Sequence, residues 1–143
     1  MKAIIYFYLE GFKMSESTIL IFVLLFLFEV KHFICDYPLQ NDYIVFGKGK
    51  LKGWVGPLAL HSGIHGLGTL FILSMYFDLK LSIFLAVFDF ISHFIIDRLK
   101  AHPKLLGRYK PNEKAFWNAL GADQMGHHLM TYGIIFVAVG SNI

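Results

Sequence analysis

The chain is 143 residues long, with 56% of them hydrophobic, 16% charged and a formal net charge of +3. Ordinary soluble domains are about 45–50% apolar and about 25% charged, so these proportions exclude a disordered chain, a coiled coil and a disulfide scaffold. They point to a single integral-membrane domain over residues 1–143. The small net charge argues against nucleic acid as a partner, and the only cysteine, Cys35, can form no internal disulfide.

In chain order, the apolar run within residues 1–13 is too short for a span and lacks the small-residue cleavage site of a signal peptide. Met14 offers an alternative start, so residues 1–13 are read as an upstream extension. A bilayer core of ~30 Å needs about 20 helical residues. Gly53 to Phe77 and Met125 to Ile143 contain no Asp, Glu, Lys or Arg, Ser17 to Cys35 is as apolar until Glu29, and Leu81 to Ile96 is broken only by Asp89. These stretches predict an all-α, four-transmembrane-helix bundle with helices at about 16–36, 55–77, 79–98 and 122–141. The second and third helices form an antiparallel hairpin through Asp78-Leu79-Lys80.

Basic residues orient the bundle. Lys48, Lys50 and Lys52 lie between the first two spans, and Arg98, Lys100, Lys104, Arg108, Lys110 and Lys114 lie between the last two. The opposite side has Lys2, Lys13 and Lys80. The positive-inside rule then puts both long loops in the cytoplasm and both termini outside an inner, cytoplasmic membrane.

Ionisable side chains inside spans cost about 2.5–3.5 kcal/mol each on insertion scales, and functional roles account for most of them. Here they come in pairs four residues apart: His32 and Asp36, His61 and His65, His93 and Asp97, Asp123 and His127. Residues at i and i+4 share one helix face, with Cβ atoms about 5–6 Å apart, so each pair can converge on one ion. With alternating helix directions, all four pairs fall at the same depth, near the cytoplasmic face. Five imidazoles and three carboxylates provide enough ligands for one or two divalent transition-metal ions, as in the di-metal sites of four-helix bundles. The mixed N/O set suits Zn first, with Mn or Fe as alternatives.

Other polar residues surround the pairs. Gln40, Lys100, Gln124 and His128 are read as supporting the ligands from outside, and His102 as a solvated loop residue. Glu29 and Asp89 share the ligand faces at greater depth; each can take a ligand imidazole's free N–H and fix its tautomer, serve as an additional ligand, or act as a catalytic carboxylate, Asp89 first as a general base. Gly56, Gly63, Gly66, Gly68, Gly121 and Gly126 are placed where helix backbones would approach closely.

The runs His32-Phe-Ile-Cys-Asp36-Tyr-Pro-Leu39-Gln40, His61/His65, His93-Phe-Ile-Ile-Asp97-Arg-Leu-Lys100 and Asp123-Gln124-Met-Gly-His127 occur in that order. Over about residues 17–140 this pattern resembles the small bacterial and phage membrane proteins grouped as domain of unknown function family 3307. That family supplies no activity. More remotely, the H-x-x-x-D signature resembles membrane-bound metal-dependent hydrolases, which in turn look distantly like zinc phospholipases C and P1-type nucleases. This likeness implies phosphoester hydrolysis as a reaction class.

The expectation is therefore an integral-membrane metal-dependent hydrolase, with a phosphoester of a lipid or lipid-linked molecule as substrate. Membrane lipid, anionic lipid included, is the expected partner, and no oligomeric state is read. Three other readings remain open: a metal transporter or sensor, a non-haem di-iron membrane oxidase, and a small membrane-remodelling or partner-binding protein.

Overall fold

The computed structural model describes residues 14–141; the reading of residues 1–13 as an extension, and the C-terminal residues 142–143, lie outside them. Among the described residues the fold is all-helical: α1 Glu16–Asp36, α2 Asp42–Lys48, α3 Val55–Ser74, α4 Leu79–Ala101, a 3-10 turn Leu106–Arg108 and α5 Lys114–Gly140. Ser15 caps α1 by accepting from the Thr18 amide at 3.1 Å. Asp78 caps α4 by accepting from the Lys80 and Leu81 amides.

The expected first helix is found at its expected bounds, but four differences stand out elsewhere, the first that α4 runs past the expected 98 to Ala101. α3 stops at Ser74 rather than residue 77, in the turn that delivers Asp78 to its capping position. α5 starts at Lys114, eight residues before the expected 122, because Lys110-Pro111-Asn112-Glu113 turns the chain first, with Glu113 accepting from the Lys110 amide. The short helix α2 was expected to be loop; Asn41 caps it by accepting from the Ile44 amide at 3.1 Å.

The four long helices form a ring in which α1 packs on α3 and α5, and α4 packs on α3 and α5. Among the described residues α1, α3 and the helix starting at Leu79 are long and apolar enough to cross a membrane. α5 falls outside that set because Asp123, Gln124, His127 and His128 interrupt its apolar run. The outer faces nonetheless carry large apolar side chains on every helix, among them Phe26 at 68% exposed, Phe71 at 70%, Phe84 at 65% and Phe136 at 79%. Such a surface is matched to hydrocarbon rather than water.

Inside the ring, polarity is layered. One end is a core of Leu24, Phe28, Ile72, Leu73, Phe77, Leu85, Ile134, Ile135, Ala138 and Val139. The other end holds His61, His65, His93, Asp97, Asp123 and His127, all buried. Close approach of the helices differs from the expected glycine pattern. At Gly66 a Cβ would meet Ala86 O at 3.1 Å on α4, whereas Gly63 and Gly121 face open space.

The tightest approach is outside the long helices. A Cβ on Gly47 of α2 would lie 2.3 Å from Pro57 Cγ on α3, and the proline ring cannot swing away. Gly47→Val should therefore lift α2 from α3 at a cost of about 1–3 kcal/mol, read as a lowered thermal midpoint in detergent. Gly63→Ala, at an open position, should not lower it.

Candidate metal centre

Each long helix delivers its pair to the same interior layer because the paired residues sit one turn apart. Asp36, at the end of α1, lies between three imidazoles. Its Oδ2 is 3.1 Å from His32 Nε2, and its Oδ1 is 3.2 Å from His65 Nε2 and 3.4 Å from His61 Nε2. Asp97, near the end of α4, has Oδ1 at 3.4 Å from His127 Nε2 and Oδ2 at 2.8 Å from His61 Nε2. Asp123 Oδ1 stands 3.6 Å from His127 Nε2. The His65 and His93 rings stack at 3.9 Å between centroids, and His93 and His127 at 4.3 Å.

All eight expected ligands are thus in one layer. Three sets have ligand atoms within 4.8 Å of one another: His32, His65 and His93; Asp36, His61 and His65; Asp97, Asp123 and His127. Two features of this layer match a divalent ion. Ligand atoms about 2.0–2.2 Å from a tetrahedral ion are about 3.3–3.6 Å from each other, and most of the nitrogen–carboxylate separations are 3.1–3.6 Å. His61 to Asp97 is the exception, at hydrogen-bond length. Second, His93 Nε2 and Asp123 Oδ1 are buried without hydrogen-bond partners; Nδ1 of His61, His65 and His127, the other nitrogen of rings whose Nε2 meets a carboxylate, also lack one, as do Asp89 Oδ1 and Ser62 Oγ. His32 Nε2 is also without one, since its approach to Asp36 is misaligned. A buried, unpartnered carboxylate oxygen is costly, and a cation removes that cost.

The expected surrounding residues are distributed differently. Asp89 sits behind His93 rather than beside the layer's ligand atoms. Its Oδ1 is 3.0 Å from His93 Nδ1, its backbone carbonyl accepts from the same nitrogen at 3.1 Å, and its Oδ2 accepts from Lys31 Nζ at 2.9 Å and Thr69 Oγ1 at 2.6 Å. The carbonyl acceptor at Nδ1 places the imidazole proton there, beside the Asp89 carboxylate, and leaves the buried Nε2 without a hydrogen-bond partner, the arrangement by which carbonyls and carboxylates orient metal-binding histidines. Glu29 is half-exposed and bonds to His128 Nδ1 at 2.9 Å, and the His128 ring lies 6.1 Å from that of His32, so this pair borders the layer without joining any of the three ligand sets. Gln40 Nε2 donates to the Asp36 backbone carbonyl, not to its carboxylate. Lys100 reaches across to Asp123 Oδ2 at 2.6 Å, which Gln124 Nε2 also approaches at 3.2 Å. His102 lies outside the layer and accepts from the Lys104 amide.

Sequence reasoning missed Lys31, Thr69 and the role of Lys48. Lys31 is a cation inside an otherwise apolar run, which was the signal available. Lys48, expected only as a loop charge, donates to Asp97 Oδ2 at 3.3 Å from the end of α2.

With the geometry established, comparison with known proteins identifies a family. The model described as Protein of unknown function (DUF3307) matches residues 21–142. The chain belongs to this family. No curated protein and no solved structure matches, and the more remote likeness to membrane-bound metal-dependent hydrolases gains no support.

The Lys31–Asp89 pair, 5% and 0% exposed at the side chains, makes its own prediction. Lys31→Met leaves the Asp89 carboxylate buried without its cation and should cost about 3–5 kcal/mol. Denaturant unfolding in detergent should show the Lys31→Met/Asp89→Leu double variant to be more stable than Lys31→Met alone.

Proposed function

We propose that the chain is a four-span integral-membrane hydrolase whose histidine–aspartate layer holds one or two divalent transition-metal ions, zinc first. The observation that carries this reading is the convergence of one ligand pair from each long helix, at ligand–ligand separations suited to an ion. A bound metal of this kind supplies Lewis acidity and lowers the pKa of water toward about 7. Asp36, Asp97 and Asp123 neutralise its charge, the imidazoles fix its position, and Asp89 acts through His93 by holding that ring's tautomer. The expected substrate is a phosphoester of a lipid or lipid-linked molecule, because the layer lies at one end of the bundle, beside the basic loops.

The transport reading is less well matched. A conducting path needs ligands at successive depths, whereas beneath this layer lie the Lys31–Asp89 pair and then the packed Leu24, Phe28, Leu73 and Ile134 core.

α5 completes the set of spans in this reading: Met125, Leu129 and Phe136 face outward while Asp123, His127 and Thr131 are buried. Four spans with basic long loops place those loops in the cytoplasm. Reporter tags inserted at Lys50 and Arg108 should both read as cytoplasmic, and a C-terminal tag as external; a cytoplasmic C-terminus would overturn the four-span topology.

Elemental analysis of purified protein should find one to two equivalents of transition metal, removable by chelation. His61→Ala and Asp97→Ala should each lower that content, and His102→Ala should not. Full metal in both of the first two variants would refute the shared centre. Loaded protein should also release phosphate from phosphatidic acid or another phosphoester and lose that activity on chelation; metal without hydrolysis would leave a binding protein and remove the enzyme.

A further inference from the structure

Two carboxylates of the layer also meet lysines. Asp97 and Asp123 each turn Oδ1 toward His127 and Oδ2 toward a lysine, Lys48 and Lys100 respectively, and Asp97 Oδ2 is shared with His61 Nε2. The two lysines come from different elements, one from α2 and one from α4, yet both finish on the same ligand set. Both lie on the loop side of it, with side chains 14% and 33% exposed.

The position of Lys48 is enforced. Arg98 Nη1 donates to the carbonyls of Lys48 and Lys50 at 3.1 and 3.2 Å, and its guanidinium lies 3.9 Å from the Trp54 ring. Gly47 packs against Pro57 from the other side. A loop charge held only for topology needs no such fixing. An ammonium has three donors, and among the described residues each of these two uses one, on its aspartate.

The charge balance depends on occupancy. With neutral imidazoles, as metal ligation requires, Asp36, Asp97 and Asp123 against Lys48 and Lys100 leave one net negative charge. A single divalent ion makes the site net positive. The free ammonium donors then stand on the loop side of a cationic centre, themselves partly exposed while Asp97 and Asp123 are buried.

We propose that Lys48 and Lys100 form an anion-holding pair that binds a phosphoryl group against the loaded metal centre. This rests on the metal reading above and names the chemistry that the centre would recognise: a tetrahedral oxyanion with oxygens for both the ion and the ammonium groups. The group is carried either by a lipid headgroup or by a soluble phosphate.

Isothermal titration of the zinc-loaded full chain with inorganic phosphate tests it. Binding should be saturable in the loaded protein and absent after chelation. Lys48→Gln/Lys100→Gln should retain its metal and bind phosphate at least about tenfold more weakly, the loss expected when hydrogen bonds to a charged group are removed. Lys48→Arg/Lys100→Arg should recover much of it. Nanodiscs containing phosphatidic acid should compete with phosphate if the headgroup is the source, and phosphatidylcholine discs should not; phosphate binding without that competition assigns the anion to a soluble molecule. Equal phosphate binding by the Gln variant, or equal binding by chelated protein, overturns the proposal while leaving the metal centre intact. Loss of metal in the Gln variant also overturns it, since the lysines would then serve the ion. A wild-type chain that takes up no metal overturns both readings.

Discussion

Histidine and aspartate side chains carried on helices whose other faces are Phe, Leu and Ile leave each helix few acceptable rotations about its axis. Turning α4 outward would put Asp89, His93 and Asp97 against whatever solvates Phe84, Ile91 and Ile95. If that medium is hydrocarbon, each ionisable group costs about 2.5–3.5 kcal/mol. The same constraint acts on α1, α3 and α5, and the only arrangement that meets all four demands is one in which the polar faces meet in the centre. The interior layer and the ring of helices are thus one solution to one problem, and neither needs a separate cause.

Meeting in the centre creates a second problem, since buried charges repel or stand unsolvated unless paired. The bundle meets it in two ways at two depths. Deeper, Lys31 crosses the ring from α1 to α4 and neutralises Asp89, with Thr69 of α3 bonded to the same carboxylate oxygen. At this level Lys31, Thr69 and Asp89 Oδ2 are bonded to one another, while Asp89 Oδ1 has no hydrogen-bond partner. The upper layer is different. There Asp97 and Asp123 reach lysines through Oδ2, which on Asp97 also meets His61 Nε2, and His32 Nε2, His93 Nε2 and Asp123 Oδ1 lack hydrogen-bond partners. The upper layer thus leaves more buried polar atoms without partners than the Lys31–Asp89 level does, and the metal reading proposed above accounts for that difference.

How much of this the sequence revealed follows from the range of each interaction. The four pairs are local, set by the 3.6-residue turn, so their faces and common depth were legible once the spans were placed. The apolar runs likewise located α1 and the starts of α3 and α4. What escaped depends on which helices are neighbours. Lys100 is one turn beyond Asp97 on α4, which made Asp97 its natural partner, yet the ring brings Asp123 of α5 to it. Lys31 and Asp89 are separated by 58 residues, and nothing local joins them. Basic residues could be tallied for the loops on either side, and Lys31 was the one cation that this tally left over. The seven-residue α2 is too short to be stable alone; its existence rests on Asn41, on the Gly47–Pro57 contact and on Arg98, of which only the cap is local.

The placement of Asp89 shows why a shared face does not by itself define a role. Asp89, His93 and Asp97 follow one another at i, i+4 and i+8, which left the first open to three roles: proton acceptor, additional ligand, or a carboxylate fixing a ligand imidazole's tautomer. A helix rises about 1.5 Å per residue, so Asp89 is about 6 Å below His93, on the far side of its ring from the nitrogen that faces the other imidazoles. A carboxylate there can reach Nδ1 and not the space at Nε2. Its remaining oxygen is held by an ammonium and a hydroxyl, which stabilise the ionised form and fix its direction. The same three-residue ladder that places Asp97 in the layer of candidate ligands therefore places Asp89 one step below it, against Nδ1 of His93. Depth along the helix axis, rather than the face, separates the two positions.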